Sequence, residues 1–219
     1  VSATLRPPPP TVGGFSLAVL SGVVLVLLAV VVMDRPIARF VHDAFGRSLL
    51  FVPLAGVGQV PLNLAGPALV CFALAAWRGW RPGEDGWTAI ACALAVTIAI
   101  AFKDQLKYAF GRTWPETWSH HNPSFIHDGT YGFFPFHGGI GWSAFPSGHT
   151  TAISAMAGVL WWRAPRLRWL WAALVVLTAI GLLGGDFHFL GDIVAGAYLG
   201  VACGRATLLL PFPESVAAR

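Results

Sequence analysis

Three short segments of this chain carry side chains able to do chemistry together. Lys103 and Lys107 lie four residues apart, so on a helix they share a face; two like charges at that spacing repel unless water or an anion lies between them. Ser147-Gly148-His149 precedes an apolar run with helical length. A helix start offers unpaired backbone N–H groups and the positive end of a dipole, which favours phosphate. Gly148 permits close backbone approach there. His188 and Asp192 also lie four apart. A carboxylate bonded to one imidazole nitrogen fixes the tautomer and leaves the other nitrogen free to attack. Each segment alone has a plainer reading: two snorkelling lysines, an N-cap serine, a capping aspartate beside an interfacial histidine. Together they make an inventory for phosphoryl transfer through a phosphohistidine. Lys107 and the Ser147–Gly148 donors hold phosphate oxygens, His188 attacks phosphorus, Asp192 orients it, and His149 protonates the leaving oxygen. The scheme needs no metal and no cofactor.

The elements that must bring these segments together are membrane helices. The chain has 219 residues, of which 56% are hydrophobic and 11% charged; a soluble domain carries about 25% charged residues. The net charge of +4 comes without a Lys/Arg run, so no track for nucleic acid is present. Cys71, Cys92 and Cys203 are far apart in apolar stretches and read as buried structural residues. The architecture expected is an all-α polytopic bundle of about six transmembrane helices in one domain, residues 15–210. A disordered proline-rich tail, residues 1–14, precedes it and a tail of residues 211–219 follows.

The first span runs from Phe15 to Met33, about the 20 residues a bilayer requires, and Asp34-Arg35-Pro36 ends it. Residues 34–47 read as a short amphipathic helix at the interface. Pro53, Pro61 and Pro67 break the next stretch into an irregular entry and a second helix ending near Trp77. The third span, Gly86 to Phe102, runs into Lys103–Lys107. His149 to Trp162, Trp169 to Gly185, and Phe187 to about Leu210 supply the rest. Arg78 and Arg81 fall in one loop, and Arg163, Arg166 and Arg168 in another, on the same side as Arg6. By the positive-inside rule that side is cytoplasmic, and tryptophans at the span ends form an aromatic belt. The three chemical segments then meet on the opposite face. With them lies the long loop from Gly111 to Pro146, which holds four of the seven histidines. A loop of that length is usually functional. The spacing of His120, His121, His127, Asp128 and His137 matches no familiar ligand set. We read the loop as a lid, shaped by Trp114, Glu116, Trp118 and residues 122–125.

Phe145-Pro146-Ser147-Gly148-His149-Thr150, followed by His188-x3-Asp192 and Ile193-Val194-Ala195-Gly196, resembles the type-2 phosphatidic acid phosphatase superfamily, which also includes the vanadium haloperoxidases. Lys107 to Pro115 matches the length of its first motif, Lys-x6-Arg-Pro. The resemblance covers roughly Lys103 to Gly200. Two positions depart from the pattern: Trp114 stands where the first motif has Arg, and Gly181-Leu182 where the third has Ser-Arg. An arginine fork holds phosphate bidentately. Arg112, two residues before Trp114, is therefore expected to reach the phosphate, with Lys103 one turn deeper adding charge.

The resemblance implies a metal-independent phosphatase. Its substrate would be a lipid phosphate or diphosphate of the phosphatidic acid, polyprenyl diphosphate or lipid A type. The site would face the periplasm from a bacterial inner membrane. The altered clamp leaves two other readings open: a phosphotransferase with the same first step, and a non-catalytic phospholipid-binding or transport protein. Oligomeric state is not specified, because bundle packing and dimer packing use the same small residues.

Overall fold

The computed structural model describes residues 11–46, 48–118 and 121–210. Among them the regular structure is helical: α1 Val12–Leu28, α2 Asp34–Phe45, α3 Val52–Trp77, α4 Glu84–Phe110, the single turn α5 Phe125–Asp128, α6 Gly148–Arg163, α7 Arg168–Gly184 and α8 Leu190–Thr207. Thr11 caps α1 by accepting from the Gly14 N–H at 3.1 Å. The helix thus begins inside the segment expected to be a tail. Residues 1–10 and 211–219 lie outside the described residues.

The first helix corrects the sequence reading most. Asp34-Arg35-Pro36 does not end it. A π-helical turn, Ala29–Met33, joins α1 to α2, and the apolar helix runs on from Val12 to Phe45. Proline inside an α-helix removes a hydrogen bond and clashes with the carbonyl one turn back. A π turn loosens the ladder just before Pro36, and such turns gather at functional sites. Asp34, expected at the interface, is instead buried at 1% exposure. The second stretch is also more regular than expected: after a 3-10 turn at Leu49–Phe51, α3 carries Pro61 and Pro67 within one helix.

Among the described residues, four helical stretches are long and apolar enough to cross a membrane: Val12–Phe45, Leu49–Trp77, Glu84–Phe110 and Pro165–Gly184. The other two expected spans, α6 and α8, have 16 and 18 residues and are more polar. Their place explains this. They pack most closely on each other, and α3, α4 and α7 pack around α6. A helix surrounded by helices needs small residues for close approach more than it needs leucine for lipid. Gly196, Gly200 and Gly204 form one ridge of α8 laid on the backbone of α6, and a Cβ at any of them would collide with the carbonyl of Ser147, Thr151 or Ala155. The core beside this contact is alanine-rich, with Ala91, Ala95, Ala99, Ala152 and Ala155 all buried.

This packing sets the C-terminal end of α4 and the N-terminal ends of α6 and α8 at one end of the bundle. At the other end Trp77 and Trp169 are exposed, and the Arg168 guanidinium lies 5.4 Å from the Trp161 ring.

Candidate active site

Asp192 is the hub of the site. Its Oδ2 accepts the Phe189 N–H at 3.0 Å, closing the first turn of α8, and lies 3.3 Å from His188 Nδ1. Its Oδ1 accepts from Arg112 Nη1 at 2.6 Å. Its backbone carbonyl accepts the Ser147 N–H at 3.0 Å, which ties the start of α6 to the start of α8. One residue therefore fixes both histidine-bearing segments. His188 is buried, while His149 is half-buried on the first turn of α6. Both line a cavity of about 240 Å³ with Trp114, Trp118, Asn122, Ile140 and Phe187.

Ser147 differs in part from its expected role. Its N–H is taken by Asp192, and its hydroxyl oxygen caps α6, accepting from the Thr150 N–H at 3.5 Å and the Thr150 hydroxyl at 3.2 Å. The donors that open α6 toward the cavity end are then the N–H groups of Gly148 and His149, two of the four that a helix start leaves without an intrahelical partner. Lys103 lies against this turn, its Nζ 3.7 Å from where a Gly148 Cβ would stand, and pairs with Asp104 at 2.5 Å. Lys107 donates to the Ser143 carbonyl, and its Nζ is 5.6 Å from the centre of the Trp114 ring. Lys103, Lys107, Gly148, His149, His188 and Asp192 thus come to one end of the bundle, as the sequence predicts.

Arg112 does not take the expected place. It is fully buried, and its terminal nitrogens go to carboxylates rather than to an open phosphate pocket: Nη1 to Asp192, Nη2 to Asp34 at 2.5 Å and to the Tyr131 hydroxyl at 2.9 Å. The rings of Phe133 and Phe189 each lie 4.7 Å from its Cζ. Burial alone would weaken the guanidinium's hold on its proton, but Asp192 and Asp34 more than offset this and hold it above its ordinary value. Burial likewise pushes the Tyr131 phenol up to about 12, with Arg112 opposing and Asp34 adding to the rise. Burial takes the His188 imidazole below its ordinary 6.5, against the opposing pull of the Asp192 hydrogen bond. A neutral His188 bonded to Asp192 through Nδ1 keeps its Nε2 lone pair for attack.

The two departures from the family pattern have physical reasons. Trp114 donates through Nε1 to the Ile140 carbonyl at 2.7 Å and lies beside His188, so it builds the cavity wall where an arginine would hold phosphate. At Gly181, α7 crosses the start of α3 so closely that any Cβ would collide with the Ala55 backbone. Leu182 packs in an apolar cluster with Ala55 and Ile193. Neither Gly181 nor Leu182 lines the cavity.

The loop between α4 and α6 covers the site. Phe125 N–H donates to the Trp114 carbonyl at 3.0 Å, and Trp118 stacks on Phe187 with ring centres 4.5 Å apart. The loop is pinned to α2, where Arg35 and Arg39 lie over the rings of Tyr131 and Phe125, and His42 lies 3.6 Å from the Glu116 carboxylate. Of the loop histidines, His120 lies outside the described residues. No three His, Cys, Asp or Glu side chains converge as a metal site among the described residues. Sequence reasoning missed Asp34 and Tyr131 altogether. For Asp34 a signal existed: an acidic residue at the edge of a long apolar run is a functional candidate.

A model of the PAP2 superfamily matches residues 88–215, and the chain belongs to that superfamily. The matched region takes in Lys103, Lys107, Arg112, His149, His188 and Asp192, while Asp34 lies outside it. Members of the superfamily are phosphatases, which supports a phosphoester hydrolase in general terms. Searches of curated proteins and of solved structures gave no match.

Proposed function

We propose that the protein is a membrane lipid phosphatase that removes phosphate from a lipid phosphate or diphosphate through a phosphohistidine on His188. The observation that carries this reading is the His188–Asp192 contact at 3.3 Å, with His149 on the wall of the same cavity. His188 Nε2 attacks phosphorus as the bond to the lipid oxygen breaks, and His149 gives that oxygen a proton. Asp192 stabilises the imidazole as it gains positive charge. In the second step His149 takes a proton from water, the water oxygen bonds phosphorus, and the P–N bond breaks to free inorganic phosphate. Lys107, Lys103 and the Gly148 and His149 N–H groups are the donors for the phosphate oxygens, a preorganised electrostatic clamp. No step is assigned to a metal.

A second cavity supports a lipid substrate. A wholly apolar groove of about 470 Å³ runs between α3, α4, α6 and α7, past Val57, Pro61, Phe72, Val96 and Met156. Gly58, one residue from Val57, packs on the carbonyl of His149, so the groove starts at the level of the site. From Val57 to Phe72 it follows about 22 Å of helix. A hydrocarbon chain held there leaves its phosphate at the site. The side on which the basic loops fall supports an extracytoplasmic, periplasmic site in a bacterial inner membrane.

Transfer to an acceptor other than water is the second reading. The aromatic wall of Trp114, Trp118 and Phe187 favours it, because an apolar wall slows entry of water to a phosphohistidine. Phosphate release by the purified protein in detergent, with chelator present, tests the first reading against phosphatidic acid, a polyprenyl diphosphate and lipid A. Release that survives chelator and disappears in His188→Ala is expected. Loss of the lipid phosphate only when an alcohol acceptor is added indicates the transferase.

A further inference from the structure

Resting on the phosphatase reading, we infer that Asp34 and Arg112 are positioning residues for His188, acting through Asp192. The order in the structure is continuous. Asp34 Oδ2 bonds Arg112 Nη2, Arg112 Nη1 bonds Asp192 Oδ1, and Asp192 Oδ2 faces His188 Nδ1. Asp34 also accepts the Gly191 N–H at 2.8 Å through Oδ1, so it holds the first turn of α8 directly. Gly191 allows this approach, because a Cβ there would stand 2.8 Å from Val30 and 3.0 Å from Asp34 Oδ2. The Tyr131 hydroxyl, which receives one Arg112 proton, donates to the Val30 carbonyl at 2.5 Å. That carbonyl belongs to the π turn. The irregular turn in the first helix, the lid loop and the first turn of α8, next to His188, are joined at one buried cluster.

The charges give the cluster a purpose beyond holding helices together. Asp34 and Asp192 place two carboxylates around one guanidinium, leaving one negative charge over. When Nε2 bonds phosphorus the imidazole becomes positive, and the nearest carboxylate is Asp192. Arg112 alone would draw much of that carboxylate's field toward itself. Asp34 on its far side offsets this, so Asp192 keeps negative charge for His188. The planar guanidinium between the Phe133 and Phe189 rings also fixes the angle at which Asp192 is held, which a lysine would do less well. None of these residues touches the cavity, so they act on the rate of attack rather than on phosphate binding.

The experiment is steady-state phosphate release by full-length Asp34→Asn, Asp192→Asn and the double variant. Inhibition by inorganic phosphate is measured on each. For Asp34→Asn we expect kcat to fall by about tenfold or more with KM within about twofold. In the Asp192→Asn background the same change should cost almost nothing further, because residues that act as a unit are not additive. The phosphate inhibition constant should stay near that of the wild type, which reports an intact pocket. Arg112→Lys should retain more activity than Arg112→Met. A full multiplicative loss in the double variant overturns the inference, and so does a rise in KM and in the phosphate inhibition constant together. Unchanged kcat in Asp34→Asn overturns it as well. A wild-type protein that releases no phosphate from any lipid defeats the phosphatase reading itself, a different result from these.

Discussion

The indole of Trp114 and the imidazole of His188 lie with ring centres 5.0 Å apart, tilted by 42°. Trp114 occupies the position where the first family motif has arginine. The ring keeps the His188 side of the cavity apolar and, through its Nε1 bond to Ile140, ties the lid to the site. Trp114→Ala removes the wall and the lid contact together. We expect kcat/KM for a lipid phosphate to fall about tenfold, equivalent to about 1.4 kcal/mol of transition-state stabilisation. Trp114→Phe should lie between, since it keeps an aromatic ring and loses only the hydrogen bond. Equal activity in all three proteins would mean the wall has no part in catalysis.

On the phosphatase reading, Lys107 is the cation expected to meet phosphate. It is the lysine of the first motif, at the last turn of α4, with its ammonium between the Ser143 carbonyl and the Trp114 ring. Lys107→Met keeps the length of the side chain and removes the charge. Loss of one donor to a developing charge costs about 10²–10³ in rate, and we expect kcat/KM to fall into that range. Lys103→Met should cost less, because Lys103 already pairs with Asp104 at 2.5 Å. If Lys103→Met proved the more damaging of the two, the clamp would be centred one turn deeper.

The pH dependence follows from His188. Attack requires the neutral imidazole, and burial holds it below its ordinary 6.5 despite the opposing effect of Asp192. Lys107 from α4, Arg112 from the lid and Asp192 from α8 are the charged groups that act on it. The acid limb of kcat/KM should therefore have its midpoint below 6.5. The stability consequence has the same direction. Between the folded value and 6.5 the unfolded chain binds the proton and the folded chain does not. Stability is fully present above 6.5 and declines as pH falls through that window. Melting in detergent between pH 5 and pH 8 measures it, and His188→Gln should flatten the decline. A midpoint above 6.5 would contradict the neutral, buried imidazole.

The grouping of polar side chains at one end of the bundle was legible in the sequence where it depended on neighbours along the chain. Lys103 and Lys107 are one turn apart on α4, so their shared face follows from period alone. His188, expected on the same helix face as Asp192, instead lies just before the N-cap of α8 and meets Asp192 through the capping turn. The start of α6 was legible too, since Ser147 has the type and place of an N-cap. The buried cluster was not, because its members come from distant parts of the chain. Arg112 bonds carboxylates 78 and 80 residues away. Without that pairing Arg112 looks like a spare phosphate ligand, and Asp34 looks like the polar end of a span. The inner helices were underestimated in a similar way. Hydropathy reports contact with lipid, and α6 and α8 make their contacts with other helices.

The apolar groove gives a test of the lipid reading that is independent of the histidines. Ala68 lies on the groove wall in α3 and is half-buried. Ala68→Phe places a ring in the groove several turns from His149, far from the reacting atoms. If the groove holds the substrate's chain, KM for a long-chain lipid phosphate should rise about tenfold or more. A short, water-soluble phosphate monoester should be hydrolysed as before. The transfer free energy of each buried methylene is about 0.8 kcal/mol, so losing contact with two of them raises KM by about tenfold or more. Lengthening the chain of the substrate step by step should lower KM in the wild type until the groove is filled, and should stop lowering it sooner in Ala68→Phe. The same dependence on chain length in both proteins would mean that the chain lies in the bilayer and the groove has another occupant.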